Sequence, residues 1–174
     1  FSNLADLGIQ IKIIPNLSEF LINNSNDFKM RSVTIEEILH REPIKPKYDL
    51  LTKNILNKSI LITGGGGSIG SELCKQVLKI KPKSIVILEN SEISLFQIHK
   101  ELLLKIKLQK LQTKVIPLLK NINDKEHLKQ IIDKFKIDTV YHAAAYKHVP
   151  LTELNIVDCL KNNVYGTENL INLC

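Results

Sequence analysis

No apolar run in the 174-residue chain is long enough to cross a bilayer, and no signal peptide is visible. The residues in hand therefore contain no membrane span. Cysteine is scarce: Cys74, Cys159 and Cys174 are odd in number and share no metal-ligand spacing. They fit a reduced, cytosolic setting in which thiols serve as small apolar side chains, and they define no metal site. Aromatic residues make up only 5%, and none stands among Lys100, Lys105, Lys107, Lys110 and Lys114, where a nucleic-acid surface would need rings for base stacking. The formal charge of +6 is accordingly assigned to a solvated helix face, with no nucleic-acid partner. An initiating Met is missing as well. The chain starts at Phe1 and stops at Cys174 inside an apolar helical run, and it is expected to be a fragment of something longer.

What is present is a globular composition, 44% apolar and 24% charged. From Ser59 onward short β-branched runs alternate with stretches of helical period, the pattern of βαβ units on a parallel sheet. Strands are predicted at Ser59 to Thr63, Ser84 to Glu89, Lys114 to Leu119 and Ile137 to His142. Pro117 points to an edge position for the third, because proline cannot donate to a ladder. Helices are predicted from near Ser68, with Ile69, Leu73, Val77 and Ile80 on one face, and from Ser91 to Lys110. Another follows Asn123, with Glu126 completing a capping box. After a loop from Ala143 to Pro150, helical stretches run to Cys174. The result is an α/β doubly wound parallel sheet, the NAD-binding Rossmann fold, in strand order three, two, one, four and incomplete on its C-terminal side.

The first 58 residues read differently. Gly8 to Ile14 suggests a strand ended by Pro15, Asn23 to Asp27 a polar turn, and Thr34 with Glu37 a capped helix through His40. A connector with Pro43 and Pro46 leads to a helix over Asp49 to Leu56. Residues 1–30 are expected to end an upstream Rossmann-like domain, 31–58 to be a linker, and 59–174 to begin the NAD-binding domain.

The segment Thr63-Gly64-Gly65-Gly66-Gly67-Ser68-Ile69-Gly70 follows a strand and opens a helix, the context that makes a glycine motif informative. Gly64 suits the tight turn, Gly67 the close approach of backbone to a pyrophosphate, and Gly70 the packing of helix on strand. The amides of Ser68 and Ile69 open the helix and face the anion. Glu89, nineteen positions after Gly70, ends the second strand where a carboxylate accepts from the ribose hydroxyls. With no arginine beside it, the preference is for NAD over NADP.

Longer strings narrow the reading: Gly67-Ser68-Ile69-Gly70-Ser71-Glu72-Leu73-Cys74, Glu89-Asn90-Ser91-Glu92, His142-Ala143-Ala144-Ala145-Tyr146-Lys147-His148-Val149-Pro150, and Asn163-Val164-Tyr165-Gly166-Thr167. Together these resemble the nucleotide-sugar 4,6-dehydratases of bacterial polysaccharide biosynthesis, the CapD-like branch of the extended short-chain dehydrogenase/reductases. Upstream, Ile14-Pro15, Arg31, Val33, Ile35 to Leu39 and Arg41-Glu42-Pro43 resemble the linker of the large, membrane-anchored members.

The resemblance implies bound NAD, a UDP-N-acetylhexosamine substrate and association into homo-oligomers. It implies a place in the cytoplasm, at the inner face of the membrane if the parent protein carries the upstream helices. Ala143, Ala144 and Ala145 would underlie the nicotinamide half of the cofactor. Tyr146, Lys147 and His148 would face the hexose and diphosphate, and Asn163 would support the hydrogen-bond network beneath them. Asn121 and Ile122 would meet the adenine, although Lys120-Asn121-Ile122 stands where relatives have Gly-Asp-Val. The acid-base residues of the reaction would lie beyond Cys174. Two other readings of the residues stay open: an epimerase or reductase of the same superfamily, and a non-catalytic NAD-binding module.

Overall fold

The computed structural model describes residues 12–13, 31–32 and 46–174. The chain divides into two compact units, Phe1–Pro46 and Lys47–Cys174. In the first, β1 (Lys12–Ile13) pairs antiparallel with β2 (Arg31–Ser32), Lys12 opposite Ser32. The turn expected at 23–27, the helix expected over 34–40 and the linker strings at 14–15, 33 and 35–43 lie outside the described residues.

The second unit opens with α1 (Tyr48–Ile55) and then follows the predicted alternation. It comprises β3 (Ser59–Thr63), α2 (Ser68–Lys79), β4 (Ser84–Glu89), α3 (Glu92–Gln109), β5 (Lys114–Leu119), α4 (Lys125–Phe135) and β6 (Thr139–His142). All strand pairs are parallel, in the order β5-β4-β3-β6 that the sequence predicts. The chain then runs through α5 (Val149–Leu154), α6 (Ile156–Leu160), a π-helical turn (Lys161–Tyr165) and α7 (Gly166–Ile171).

β3 and β4 are buried along their full length because both faces of the sheet are covered. Side chains alternate between faces: Ile60, Ile62, Ile85 and Ile87 pack under α1, α2 and α3 in one core. Leu61, Val86 and Leu88 pack under α4 and α7 in the other. Pro117 is accommodated because β5 is an edge strand, paired among the described residues only with β4.

Three expectations need correction. The buried face of α2 runs through Gly70, Cys74, Val77 and Leu78, and Ile69 is 65% exposed. At its first turn the helix lies so close to the loop before it that only glycine fits at position 70. The cap of α4 is Asp124, whose carboxylate accepts from the His127 amide at 3.0 Å, and not Asn123. Asn123 is instead held one turn earlier, its amide donating to Asn121 Oδ1. The loop after β6 ends at His148, with α5 beginning at Val149.

Helices α3 and α4 close on lysines in the left-handed region, Lys110 at φ 51° and Lys136 at φ 48°. A Cβ in that region is strained, and glycine is the usual occupant. Lys136→Gly is expected to raise stability by about 0.5 to 1 kcal/mol, read as a higher urea midpoint. A lower midpoint would mean that the lysine charge at the helix C-terminus outweighs the backbone strain.

Candidate functional site

The site is built where β3 ends. Gly64 turns the chain at φ +64°, and its amide donates to Leu88 O at 2.8 Å, tying the turn to β4. A Cβ on Gly64 would lie 2.7 Å from the backbone of Ala143 and Ala144, so this turn and the loop after β6 touch main chain to main chain. The Gly67 amide closes the turn on Gly64 O at 3.1 Å. Gly67 itself is open: the nearest atom to a Cβ placed there would be Gly64 O at 3.4 Å. Gly70 is the opposite case, with a Cβ falling 1.9 Å from Gly64 O.

These contacts bring the C-terminal ends of β3, β4 and β6 around a cleft of about 170 Å³. Gly64 and Gly67 form one wall, Glu89 and Asn90 a second, Lys120, Asn121 and Ile122 a third. Ala143, Ala144, Ala145 and Tyr146 form the floor on the β6 side. Eleven residues were assigned to the cofactor from the sequence, and the structure brings eight of them to this cleft. Ser68, Ile69 and Gly70 do not line it. The first two sit in the opening turn of α2, which has no side-chain cap and keeps its first amides available to an anion. Gly70 packs beneath the turn.

Glu89 is buried and accepts three backbone amides: Gly66 N on Oε2 at 2.8 Å, and Asn90 N and Ser91 N on Oε1 at 2.9 and 3.0 Å. The carboxylate thus braces the glycine loop as well as lining the cleft. A carboxylate has about four acceptor sites, so one remains for a ribose hydroxyl while these bonds hold. Receiving both hydroxyls requires exchanging one of them. Asn121 likewise lines the cleft with its Oδ1 already engaged by Asn123 N at 3.0 Å.

Tyr146 joins this cleft to a second hollow of about 500 Å³, lined by Lys147, His148, Thr152, Asn155, Asp158 and Cys159. Lys147 and His148 therefore lie together, one step beyond the alanines. Asn163 clamps Tyr146 from below, Oδ1 accepting the Tyr146 amide at 2.8 Å and Nδ2 donating to the Tyr146 carbonyl at 2.9 Å. The π-helical turn makes this possible by widening the helix so that two successive amides reach the same loop.

The second of those amides belongs to Asn162, which the sequence reading passed over. It is buried, lines the cleft, and donates to Ala144 O at 3.4 Å and Asn163 Oδ1 at 3.0 Å. Its doubled asparagine is the one sequence sign of it. His142 was also passed over as a hydrogen-bonding residue. Thr167 donates to Asn163 O at 2.7 Å and so accepts from His142 Nε2 at 3.0 Å, leaving Nδ1 to accept from the Thr63 hydroxyl at 2.6 Å. Partial burial pushes this imidazole below its ordinary pKa, consistent with a neutral ring joining β3 to α7. Cys74, by contrast, has no chemistry to offer. Burial pushes its thiol up to about 12. Among the described residues no His, Cys, Asp or Glu side chains cluster as metal ligands, and no helix is long and apolar enough to cross a membrane.

The sequence profile of a family described as "Polysaccharide biosynthesis protein" matches residues 60–174. The capsular polysaccharide biosynthesis protein CapD of Staphylococcus aureus is 36% identical over 163 residues, 94% of this chain and 27% of that protein. An inverting UDP-N-acetylglucosamine 4,6-dehydratase of Campylobacter jejuni is 35% identical over 122 residues, 67% of this chain and 32% of that one. Among solved structures, the UDP-Glc/GlcNAc 4-epimerase of Campylobacter jejuni superimposes with a TM-score of 0.55 at 29% identity, covering 67% of this chain and 33% of the other. The chain thus spans about a third or less of the length of these relatives.

Proposed function

Since this chain belongs to the polysaccharide biosynthesis protein family, with the fold of the extended short-chain dehydrogenase/reductases, we propose that it is the cofactor-binding part of an NAD-dependent UDP-N-acetylhexosamine 4,6-dehydratase. The observation that carries the cofactor reading is the open side of Gly67 against the free opening turn of α2. A cradle without Cβ, facing unpaired amides, is shaped for a pyrophosphate. The choice of dehydration rests on likeness to the Campylobacter jejuni dehydratase.

When bound, the dinucleotide would supply the reversible hydride-accepting chemistry that loss of water across hexose C5 and C6 needs. The chain's own residues do the holding. The alanine floor lets a flat ring approach the backbone, and Tyr146, clamped by Asn163, sets the height of the adjoining hollow. Lys147 offsets diphosphate charge there, and His148 offers a hydrogen bond. On that likeness, the acid-base groups of the reaction would not be among residues 1–174. On the same likeness, residues 1–30 would end an upstream Rossmann-like domain and 31–58 would link it to this one; the parent protein would self-associate in the cytoplasm, at the inner membrane face if it carries upstream membrane-spanning helices.

Calorimetry with NAD tests the cofactor reading. The wild-type chain should bind, and Gly67→Val should reduce binding at least about tenfold while unfolding at the same urea concentration, because its side chain occupies open space. A folded wild-type chain that takes up no NAD overturns it. An epimerase also binds NAD. It is separated by the product formed when the full-length protein acts on UDP-N-acetylglucosamine, a 4-keto-6-deoxy sugar for dehydration or a C4 epimer for the alternative.

A further inference from the structure

Helix α3 is apolar on two sides. Leu95, Ile98 and Leu102 are buried against the sheet, as any surface helix requires. On the solvent side Ile93 is 72% exposed, Phe96 63%, Leu103 46%, Leu104 53% and Leu108 82%. At 100° per residue these five, with Lys100 and Lys107, fall within about 140° of one another around the helix axis. Scattered exposed leucines need no explanation, but a four-turn stripe of them does.

The stripe carries positive charge and no negative charge. Lys100 and Lys107 are exposed at its centre. Of the helix's two glutamates, Glu92 lies in the first turn and Glu101 lies off to the side, paired with Lys105 at 2.9 Å and Lys75 at 4.0 Å. Beyond the helix C-terminus the positive field continues along a groove lined by Lys110, Lys114, Lys134 and Lys136, with no carboxylate among its lining residues. None of these lysines joins an ion pair among the described residues.

From this combination we infer that the outer face of α3 docks on an anionic bilayer surface. Apolar side chains that stand out from a folded domain insert among acyl chains at the headgroup boundary. Lysines set between them keep their stems with the apolar atoms and their ammonium groups at the phosphates. A nucleic acid would call for rings to stack on, and a protein partner for carboxylates to match the lysines. A lipid surface answers both the exposed leucines and the unpaired cations. The face lies on the α2 side of the sheet; it starts beside Ser94 at the rim of the cleft and runs from there to the opposite end of the strands. The inference is independent of which nucleotide the cleft holds.

Co-sedimentation of the full chain with vesicles tests it, using phosphatidylglycerol and phosphatidylcholine in equal parts against phosphatidylcholine alone. The chain should partition at least about tenfold better onto the anionic vesicles, and that preference should fall about tenfold when salt is raised to screen the lysines. Lys100→Glu with Lys107→Glu should abolish binding, and Phe96→Ser with Leu104→Ser should weaken it at low salt, both with unchanged circular dichroism. Lys125→Glu with Lys129→Glu on α4 makes the same charge change on the other face of the sheet, and should leave binding intact. Equal loss from both lysine pairs would reduce the effect to net charge and overturn the proposal. So would an absence of vesicle binding together with RNA binding, or with self-association that Phe96→Ser and Leu104→Ser disrupt.

Discussion

Gly70→Ala is expected to destabilise the domain by about 2 to 4 kcal/mol and to abolish nucleotide binding, although it adds a single methyl group. The added Cβ would lie 1.9 Å from Gly64 O, 2.7 Å from Gly64 C and 2.8 Å from Gly65 Cα. All three are backbone atoms, so no side chain can rotate to make room. Gly64 cannot retreat either, because Ala143 and Ala144 hem it in from the far side. The only relief is to lift the whole turn, which breaks the bonds from Gly64 N to Leu88 O and from Gly67 N to Gly64 O. The pair Gly70→Ala and Gly67→Val should therefore separate in a urea melt, the first unfolding early and the second with wild type. A Gly70→Ala protein that melts and binds NAD like wild type would show that helix and turn are further apart than described.

The other large effect is expected at Glu89. Glu89→Ala leaves three backbone amides of two loops without their acceptor, one of them on the glycine turn itself. Losing bonds to a charged acceptor in a part-buried setting should cost about 2 to 3 kcal/mol. Glu89→Gln is the more telling variant. Its amide oxygen can keep Asn90 and Ser91, but its NH2 group then meets the Gly66 amide donor to donor. It should lose about 1 to 2 kcal/mol, with faster hydrogen exchange at Gly66 and unchanged exchange at Asn90. If Glu89→Gln and Glu89→Ala destabilise alike, the carboxylate's place in the loop is wrongly assigned.

The parts of this architecture that could be read from sequence are those set by side-chain type along the chain. Ile60 to Ile62 and Ile85 to Leu88 admit few conformations other than buried parallel strands. Pro117 marks an edge because its ring removes a donor. The glycine turn, Glu89 and the alanine run announce themselves by spacing. What stayed hidden depends on contact between distant segments. Ile69 looked like core because its spacing from Leu73 and Val77 is helical, yet the helix sets Gly70 against the turn at Gly64, so that Gly70 and Cys74 face inward and Ile69 faces solvent. The cap of α4 moved by one residue because Asn121 Oδ1 holds the Asn123 amide while the Asp124 carboxylate takes the His127 amide. Asn162 could not be separated from Asn163 by periodicity, since the π-helical turn that aims both at one loop is held by bonds to Ala144 and Tyr146. His142 looked like the last residue of a strand. Only the fold puts Thr63 and Thr167 on either side of its ring.

The two borders of the sheet are unlike each other, and that has a consequence for how this chain behaves in concentrated solution. On the β5 side Pro117 interrupts the row of amide donors, which discourages a visiting strand. On the β6 side, residues Thr139 to His142 pair only with β3 among the described residues and contain no proline. A strand with free donors and acceptors is a template, and this one can recruit an extended segment of another molecule. Clumping on overexpression should therefore spread from a single border of the sheet. A charged or proline substitution in β6 would quiet it, and the same substitution in β5 would not.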